Sequence, residues 1–385
     1  MAIISTKTTE ADAEWHVAAV SIGLQNHNKS AIQIQSTVLD EGNEKISDGP
    51  CTQAVSTDFS NRLEKARILG EDDKLLLAAH HLQGIDSRYF QKIHHDILRE
   101  AAIFQQLLKT TIDPSGWVKQ GQHLTGRQNF SIQYKINETP LGQDLSCRLE
   151  TVIHSDLLVP IISVLNESEL YATWLPNWTV PKLQVTKSEK ILQSGRCSQV
   201  IDVETEVPWP LASRQVILKA VACDNIDRFP LEENGTRATC VGGDGGRIII
   251  RIQSLDCQDN IVEGLNIPPC EKHVVRLKVQ GCFIIEKCPA DHAMTKFLNA
   301  RPEPSKEDLV LVTFRFCVDP QLSNIPKSFI NFFLRTVIGQ MWNKFLNIAE
   351  EVKDGVRPAH SEAIAMKRKV LYDWVEERTR VLLGQ

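Results

Sequence analysis

The order in which two hydrophobic periodicities follow each other constrains the fold of this chain most. Residues 180 to 318 consist almost entirely of strand-like segments, and one long apolar helix pattern follows them. The predicted strands are Leu183–Leu192, Ser198–Val207, Gln215–Cys223, Arg247–Ser254, Val274–Glu286 and Leu309–Val318. The helix pattern begins at Asn324 and places apolar residues mostly four apart up to Val352, with Gly355 expected as its C′ residue. Such a helix would be roughly 40 Å long and could cover one face of an antiparallel sheet.

The remaining segments predict helices at both ends of the chain. Apolar residues recur at helical spacing from Asn61 to about residue 112, and alternation then predicts strands over Gln128–Glu138 and Arg148–Ile153. A helix is expected after Ser155, and Asp224–Gly246, with its Gly-Gly-Asp-Gly-Gly run, is expected as a loop. We predict a poorly ordered segment at 1–60, a helical extension at 61–112, one α+β domain at 113–355 and a C-terminal helix at 356–385.

Composition excludes several classes of protein. Lys and Arg total 43 against 48 Asp and Glu, a net charge of −5, which argues against a nucleic-acid binder. No apolar run is long enough to cross a membrane, and the first residues lack a signal-peptide pattern. The ten cysteines include no C-x-x-C pair, so we expect a reduced, cytoplasmic protein without a metal or a cofactor.

Four short segments follow one another in an order typical of a known family. Asp156–Pro176 ends in Trp-x-Pro, and Pro208-Trp209-Pro210 precedes Arg214. Gly281–Glu286 lies in a late predicted strand, and Asp319-Pro320 with Ile325–Asn331 precedes the predicted terminal helix. Together these segments resemble the START (StAR-related lipid-transfer) domain family. The resemblance implies an α+β helix-grip fold, in which a curved antiparallel sheet surrounds a long C-terminal helix and encloses a cavity for a lipid ligand.

The sequence also departs from the pattern of that family. Gln215 stands where the family has an Asp after its Arg, so an ion pair made by that Asp is absent. The cavity Arg of sterol-binding relatives falls near Ala220, and Lys219 is expected on the opposite face of the strand. Residues from Leu157 to Pro181 include no Lys or Arg that could hold a phosphocholine headgroup. These differences favour a sterol or another weakly polar lipid.

Candidate ligand-binding residues lie on the terminal helix and on two strands. On the helix, the apolar residues either line a lipid cavity or pack as ordinary core; they are Phe333, Leu334, Val337, Ile338, Met341 and Phe345. Glu204 either bonds a ligand hydroxyl or faces solvent together with Asp202 and Glu206, with which it shares a face. Arg214 either contacts ligand or orders the preceding turn, and we expect Trp174 and Trp209 to have packing roles.

No catalytic motif is recognisable, so we expect a non-enzymatic protein. The adjacent histidines His80, His81, His94 and His95 do not share a helix face, which argues against a metal site. Two alternatives stay open: a regulatory or scaffold protein with a collapsed cavity that binds a protein partner, and an enzyme acting on a hydrophobic substrate, for which Glu204 is the one candidate acid or base. Lys367-Arg368-Lys369 either makes transient membrane contact or forms a solvated helix face.

Overall fold

A computed structural model describes most of the chain after residue 50. The described residues are 51–112, 116–125, 128–139, 142–175, 177–179, 182–207, 212–227, 246–255, 261–262, 264–297, 308–319 and 337–385. The predictions for the first 50 residues, for Trp209, for most of the Gly-rich loop and for the start of the terminal helix lie outside them.

One sheet organises the described residues. Its strand order is β1-β2-β3-β13-β12-β8-β7-β6-β5-β4; these neighbours are antiparallel, and β11 pairs with β7 in parallel. The strands are β1 (Val118–Thr125), β2 (Gln128–Thr139), β3 (Gly142–His154), β4 (Asn177–Thr179), β5 (Lys182–Ser194), β6 (Ser198–Glu206), β7 (Ser213–Asn225), β8 (Arg247–Ser254), β11 (Val274–Arg276), β12 (Lys278–Lys287) and β13 (Leu309–Asp319), while β9 (Ile261–Val262) and β10 (Leu265–Asn266) form a separate pair. The predicted strands are confirmed to within two residues at each end, with two exceptions: β3 begins at Gly142, well before the predicted Arg148, and Val274–Glu286 is divided into β11 and β12.

The helices lie before, within and after the strands. They are α1 (Cys51–Glu71), α2 (Leu75–Leu82), α3 (Lys92–Ile112), α4 (Leu158–Asn166), α5 (Gly339–Lys353), α6 (Pro358–Lys367) and α7 (Asp373–Leu383). The prediction that helical structure begins at Asn61 is wrong, because α1 already begins at Cys51. Gly355 has a φ of +73°, which confirms it as the left-handed residue after α5. A π-helical turn over Arg368–Tyr372 divides the predicted last helix into α6 and α7.

Helices cover both faces of the sheet. Helices α1 to α3 pack on the face that carries Cys223, Ile249 and Ile284. Helices α4 and α5 pack on the opposite face, against Ile285 and Val312. The sheet curves around α5, so we name the face toward α5 concave and the other face convex. The predicted α+β helix-grip fold is confirmed.

The C-terminal segment belongs to the core on the concave side. Tyr372 of the π turn and Val375 of α7 are buried in the same cluster as Phe283 and Trp342. Arg378 of α7 forms an ion pair with Asp224 at the end of β7, with 2.6 Å between Nε and Oδ2. Helices α6 and α7 therefore share their core with the sheet.

Candidate functional site

The register of the sheet decides which side chains face α5. Phe283 of β12 stacks against Trp342 of α5, and it pairs across the ladder with Ile250 of β8. Directly paired residues point to the same face, so Ala222 and Ala220 of β7 also face α5. Lys219 lies on the convex face, where its Nζ is 3.8 Å from Glu100 of α3. This confirms the prediction that Ala220 and Lys219 point in opposite directions.

Burial changes along the concave face. Ile248, Ile285 and Val312 are fully buried beneath the helices. Elsewhere on this face, seven apolar side chains of β7, β8 and β13 are only half-buried, although Phe316 between Phe314 and Val318 is buried: Val216, Leu218, Ala220, Ile250, Ile252, Phe314 and Val318. We call these seven residues the concave groove. Contiguous apolar surface that stays partly accessible is typical of a binding site for an apolar group.

The predicted helix residues occupy different environments. Val337, Ile338 and Met341 are half-buried, as the groove residues are. Phe345 is 4% exposed and contacts Trp174 and Trp342, with ring centroids 6.2 and 5.1 Å apart, so it packs as core. Phe333 and Leu334 lie outside the described residues.

A cluster of aromatic side chains fills part of the space between the sheet and α5. The ring of Phe314 lies 4.1 Å from that of Phe283 and 5.8 Å from that of Trp342, in stacked arrangements. Aromatic pairs in this range gain about 0.5–1.5 kcal/mol beyond their burial. The cluster therefore forms a fixed wall of the concave groove, to which Phe314 itself belongs.

A pocket of about 620 Å³ lies between α5 and the segment around Trp174. Its lining residues are Thr173, Trp174, Leu175, Asn177, Gln340, Met341, Asn343, Lys344 and Asn347. Its volume lies within the range of small-molecule sites. Lys344 and the three asparagines were not predicted, because a polar helix face looks solvated until the opposing segment is known.

Gln199 is a polar residue of the concave face that was not predicted from the sequence. It pairs directly with Ala220, is 7% exposed, and its Oε1 has no hydrogen-bond partner among the described residues. The indole Nε1 atoms of Trp174 and Trp342 are also buried without a partner there. Buried polar atoms of this kind usually bind a water molecule or a ligand. Gln199 shares a strand face with the apolar residues Ile201 and Val203. A polar residue in such an apolar series was the signal from which a polar group on this face could have been predicted.

Arg214 and Glu204 lie on opposite faces of the sheet. Arg214 pairs with Thr205 and shares the concave face, where its guanidinium donates to the carbonyl oxygen of Ala212 at 2.5 Å. Burial lowers the pKa of Arg214. Glu204 pairs with Gln215 on the convex face, so its carboxylate does not line the groove.

Gln215 takes part in a polar chain on the convex face. Its amide nitrogen donates to Asp202 at 2.9 Å, and its amide oxygen accepts from Arg276 at 2.8 Å. Lys187 donates to the other oxygen of Asp202 at 2.9 Å. The expectation that Asp202 faces solvent is wrong, because its side chain is 1% exposed and fully bonded within this chain. A glutamine can bridge a carboxylate and a guanidinium because it both donates and accepts.

One histidine of the N-terminal helices, His94, has structural hydrogen-bond partners. His94 is buried; its Nδ1 accepts from the backbone of Gln91 at 3.0 Å, and its Nε2 lies 3.2 Å from the carbonyl oxygen of Leu63. Across the described residues, no group of three His, Cys, Asp or Glu side chains is placed to hold a metal ion. No described helix combines the length and the apolar character required to span a bilayer.

The basic triplet on the C-terminal segment is largely paired within the protein. Lys367 contacts Glu167 at 2.5 Å, and Arg368 contacts Asp373 and Glu376 at 2.9 and 3.0 Å. These contacts compete with any interaction between the triplet and an anionic membrane surface.

Comparison with known proteins finds similarity in structure but not in sequence. No family model and no curated protein matches the chain. Human STARD10 is similar over 64% of this chain and 78% of its own, with 17% identity and a TM-score of 0.40. A STAR-related lipid transfer protein from Xanthomonas axonopodis is similar over 61% of this chain and 99% of its own, with 16% identity and a TM-score of 0.37. The lipid transfer and protein localization domain of human StarD13 (DLC2) is similar over 68% and 96%, with 13% identity and a TM-score of 0.34.

All three structures are StAR-related lipid-transfer domains, the family that the sequence resembles. At these identities and TM-scores, the likeness does not identify a ligand.

Proposed function

We propose that this protein binds a neutral lipid that carries a hydroxyl group, such as a sterol, in the concave groove and acts as a lipid carrier rather than an enzyme. One observation carries the proposal: the carbonyl oxygen of Gln199, which has no hydrogen-bond partner within the described part of the chain, lies beside the half-buried Ala220 on the face toward α5. An apolar body would cover the groove residues, and its hydroxyl would donate to Gln199.

The energetics suit such a ligand. Covering about 200 Å² of apolar protein surface would contribute about 5 kcal/mol at ~25 cal/mol per Å², before the ligand's own apolar surface is counted. The hydrogen bond to Gln199 would add about 1 kcal/mol and would remove the cost of an unsatisfied buried acceptor. Apolar contact therefore supplies affinity, and the single acceptor supplies a preference for hydroxyl donors.

Arg214 offers a test of the headgroup. It lies six residues from Ala220 on β7, so at ~3.4 Å per residue the two are about 20 Å apart. A neutral hydroxyl lipid anchored at Gln199 would leave Arg214 uninvolved, whereas an acidic lipid would pair with its guanidinium. The ratio of neutral to acidic lipid bound by the protein separates these two cases.

The test is lipid capture by the full chain. Delipidated protein is incubated with labelled sterols, ceramides, phospholipids and fatty acids, and the bound lipid is identified by native mass spectrometry. We expect capture of sterol, and about fivefold weaker binding by Gln199→Leu. Gln105→Leu, an exposed position on α3, serves as the matched control and should bind as the wild type does.

Failure to capture any of these classes would overturn the proposal. It would favour a regulatory protein whose concave face is closed by the aromatic cluster around Phe314. Preferential capture of fatty acids, lost in Arg214→Gln and kept in Gln199→Leu, would refute the neutral ligand and retain a lipid carrier.

A further inference from the structure

Lys190 of β5 carries a buried amine on the concave face of the sheet. It pairs directly with Ile201 of β6, which pairs in turn with Leu218 of the concave groove, so one row of the ladder aligns the three residues. The Lys190 side chain is only 10% exposed. Lysine is almost never buried to this extent without a close counter-charge. The groups around the amine therefore decide what it can do.

The carboxylate that pairs with Lys190 is long in distance and largely open to water. The Lys190 Nζ lies 3.5 Å from Glu169, which belongs to a short 3₁₀ helix over Ser168–Thr173. The Glu169 side chain is 54% exposed. Ion pairs that water reaches are screened and contribute little to holding the charged form of either partner. The buried amine therefore has only a weak counter-charge at this contact.

A second cation lies beside Lys190. The ammonium group of Lys367, at the end of α6, is its neighbour. The buried carboxylate of Glu167 makes its close contacts elsewhere, because one oxygen contacts Lys367 at 2.5 Å and the other accepts from the Tyr372 hydroxyl at 2.7 Å. Two cations this close favour the loss of a proton from the one that is less well paired. That cation is Lys190.

These surroundings lower the pKa of Lys190 below the ordinary value of 10.5. Burial is the main cause and the ammonium group of Lys367 adds to it. The carboxylates of Glu169 and Glu167 act in the opposite direction and offset the decrease in pKa only in part. A lysine that is desolvated next to another cation is the usual form of a nucleophilic amine in proteins, because more of it is neutral near pH 7.

We propose that Lys190 is a reactive amine that forms an imine with an apolar aldehyde. The neutral Nζ donates its electron pair to the carbonyl carbon, and the carbonyl oxygen takes up a proton. The resulting carbinolamine forms the C=N bond as it loses water, which carries away the carbonyl oxygen and the two protons of the amine. No oxidant or reductant takes part. Glu169 lies close enough to accept a proton from Nζ and to return it to the departing oxygen.

The position of Lys190 selects the apolar class of aldehyde. The row that contains Lys190 continues through Ile201 to the half-buried Leu218, so the chain of the aldehyde would lie against aliphatic side chains. The half-exposed side chain of Glu169 covers the amine and can turn toward solvent to admit a short aldehyde. The inference goes beyond the carrier function and stands without it, because the reactivity of the amine depends on its own neighbours.

The experiment treats the full chain with butanal and sodium cyanoborohydride near neutral pH. The reductant converts each imine to a stable secondary amine, and peptide mass spectrometry follows the rate of modification at each lysine. Lys187 is the internal control, because it lies on the same strand but on the convex face, where a hydrogen bond with Asp202 raises its pKa. We expect Lys190 to react at least about tenfold faster than Lys187, since one unit of pKa changes the neutral fraction of an amine about tenfold.

Accessibility alone predicts the opposite order of rates. The Lys187 side chain is 39% exposed and that of Lys190 is 10% exposed. An equal or faster reaction at Lys187 would therefore overturn the proposal and leave Lys190 as an ion pair that fastens the 3₁₀ helix to the sheet. Without the reductant, the adduct at Lys190 should disappear on dilution, because an imine is hydrolysed by water. An adduct that persists would show a different reaction and would also overturn the assignment.

Two variants test the role of the neighbouring cation. Lys367→Met removes the ammonium group beside Lys190, and we expect the reaction at Lys190 to slow by at least about threefold, because the amine then holds its proton more tightly. Lys369→Met removes the same charge at an exposed position two residues later and should leave the rate within about 1.5-fold of wild type. An unchanged rate in Lys367→Met, or equal slowing in both variants, would refute this activation. Should Lys367→Met fail to fold, the comparison with Lys187 in the wild-type chain still decides the proposal.

Discussion

Replacing Ala220 with leucine should block ligand binding in the concave groove while the fold is kept. Ala220 is half-buried, faces α5 and pairs directly with Gln199. Leucine adds three carbon atoms at the place where the ligand would lie, and a ligand displaced from contact with them loses about 1.5–3 kcal/mol. This corresponds to a lipid affinity reduced roughly 10- to 150-fold.

The same substitution distinguishes an accessible groove from a collapsed one. In an accessible groove the new side chain occupies unfilled space, so the free energy of unfolding should change by less than about 1 kcal/mol. In a collapsed groove it would overpack the core and cost about 1–3 kcal/mol. Lipid capture measures affinity, and urea unfolding measures stability. Ala365→Leu, on the exposed face of α6, is the matched control. Unchanged lipid affinity in Ala220→Leu would refute the assignment of the groove.

Three further predictions address the concave groove and the C-terminal segment. Met341→Trp should reduce lipid uptake with the fold intact, as measured by lipid capture and circular dichroism, because Met341 is half-buried on α5, the helix toward which the concave groove faces. Arg378→Met should lower the free energy of unfolding in urea by about 3–5 kcal/mol, because it leaves the fully buried Asp224 carboxylate unpaired, and adding Asp224→Asn should recover part of that loss. Burial lowers the pKa of His360 below its ordinary value of 6.5. As the pH falls, the unfolded chain therefore binds a proton before the folded chain does, and the free energy of unfolding decreases below about pH 6.5. His360→Gln should make the decrease between about pH 7 and pH 5 shallower in urea titrations; an equally steep decrease would refute this role.

The sheet could be predicted from the sequence because its signals are local. Alternation fixed the bounds of β8 at Arg247 and Ser254, and the same alternation placed Ala220 and Lys219 on opposite faces. The left-handed conformation of Gly355 followed equally from its position after the helix pattern. Each of these features depends on a few neighbouring residues.

The site residues could not be predicted as well because they depend on which segments meet. Asp202 looked solvent-exposed, yet Gln215 and Lys187 from the two neighbouring strands bury and pair it. Lys344 joins a pocket only because the Trp174 segment lies opposite α5. Which strands pair and which segments lie opposite each other are properties of the assembled fold, and they are not visible in any single segment.

The C-terminal segment determines how short a working fragment can be. A fragment ending at Gly355 would correspond to the predicted α+β domain, yet it would lose five side chains that are buried in the core: Leu371, Tyr372, Val375, Leu382 and Leu383. At about 1.5–3 kcal/mol each, their loss amounts to roughly 7–15 kcal/mol, as much as the whole stability of a typical domain. Such a fragment should fail to fold, and any truncation intended for ligand studies needs to retain the chain through α7.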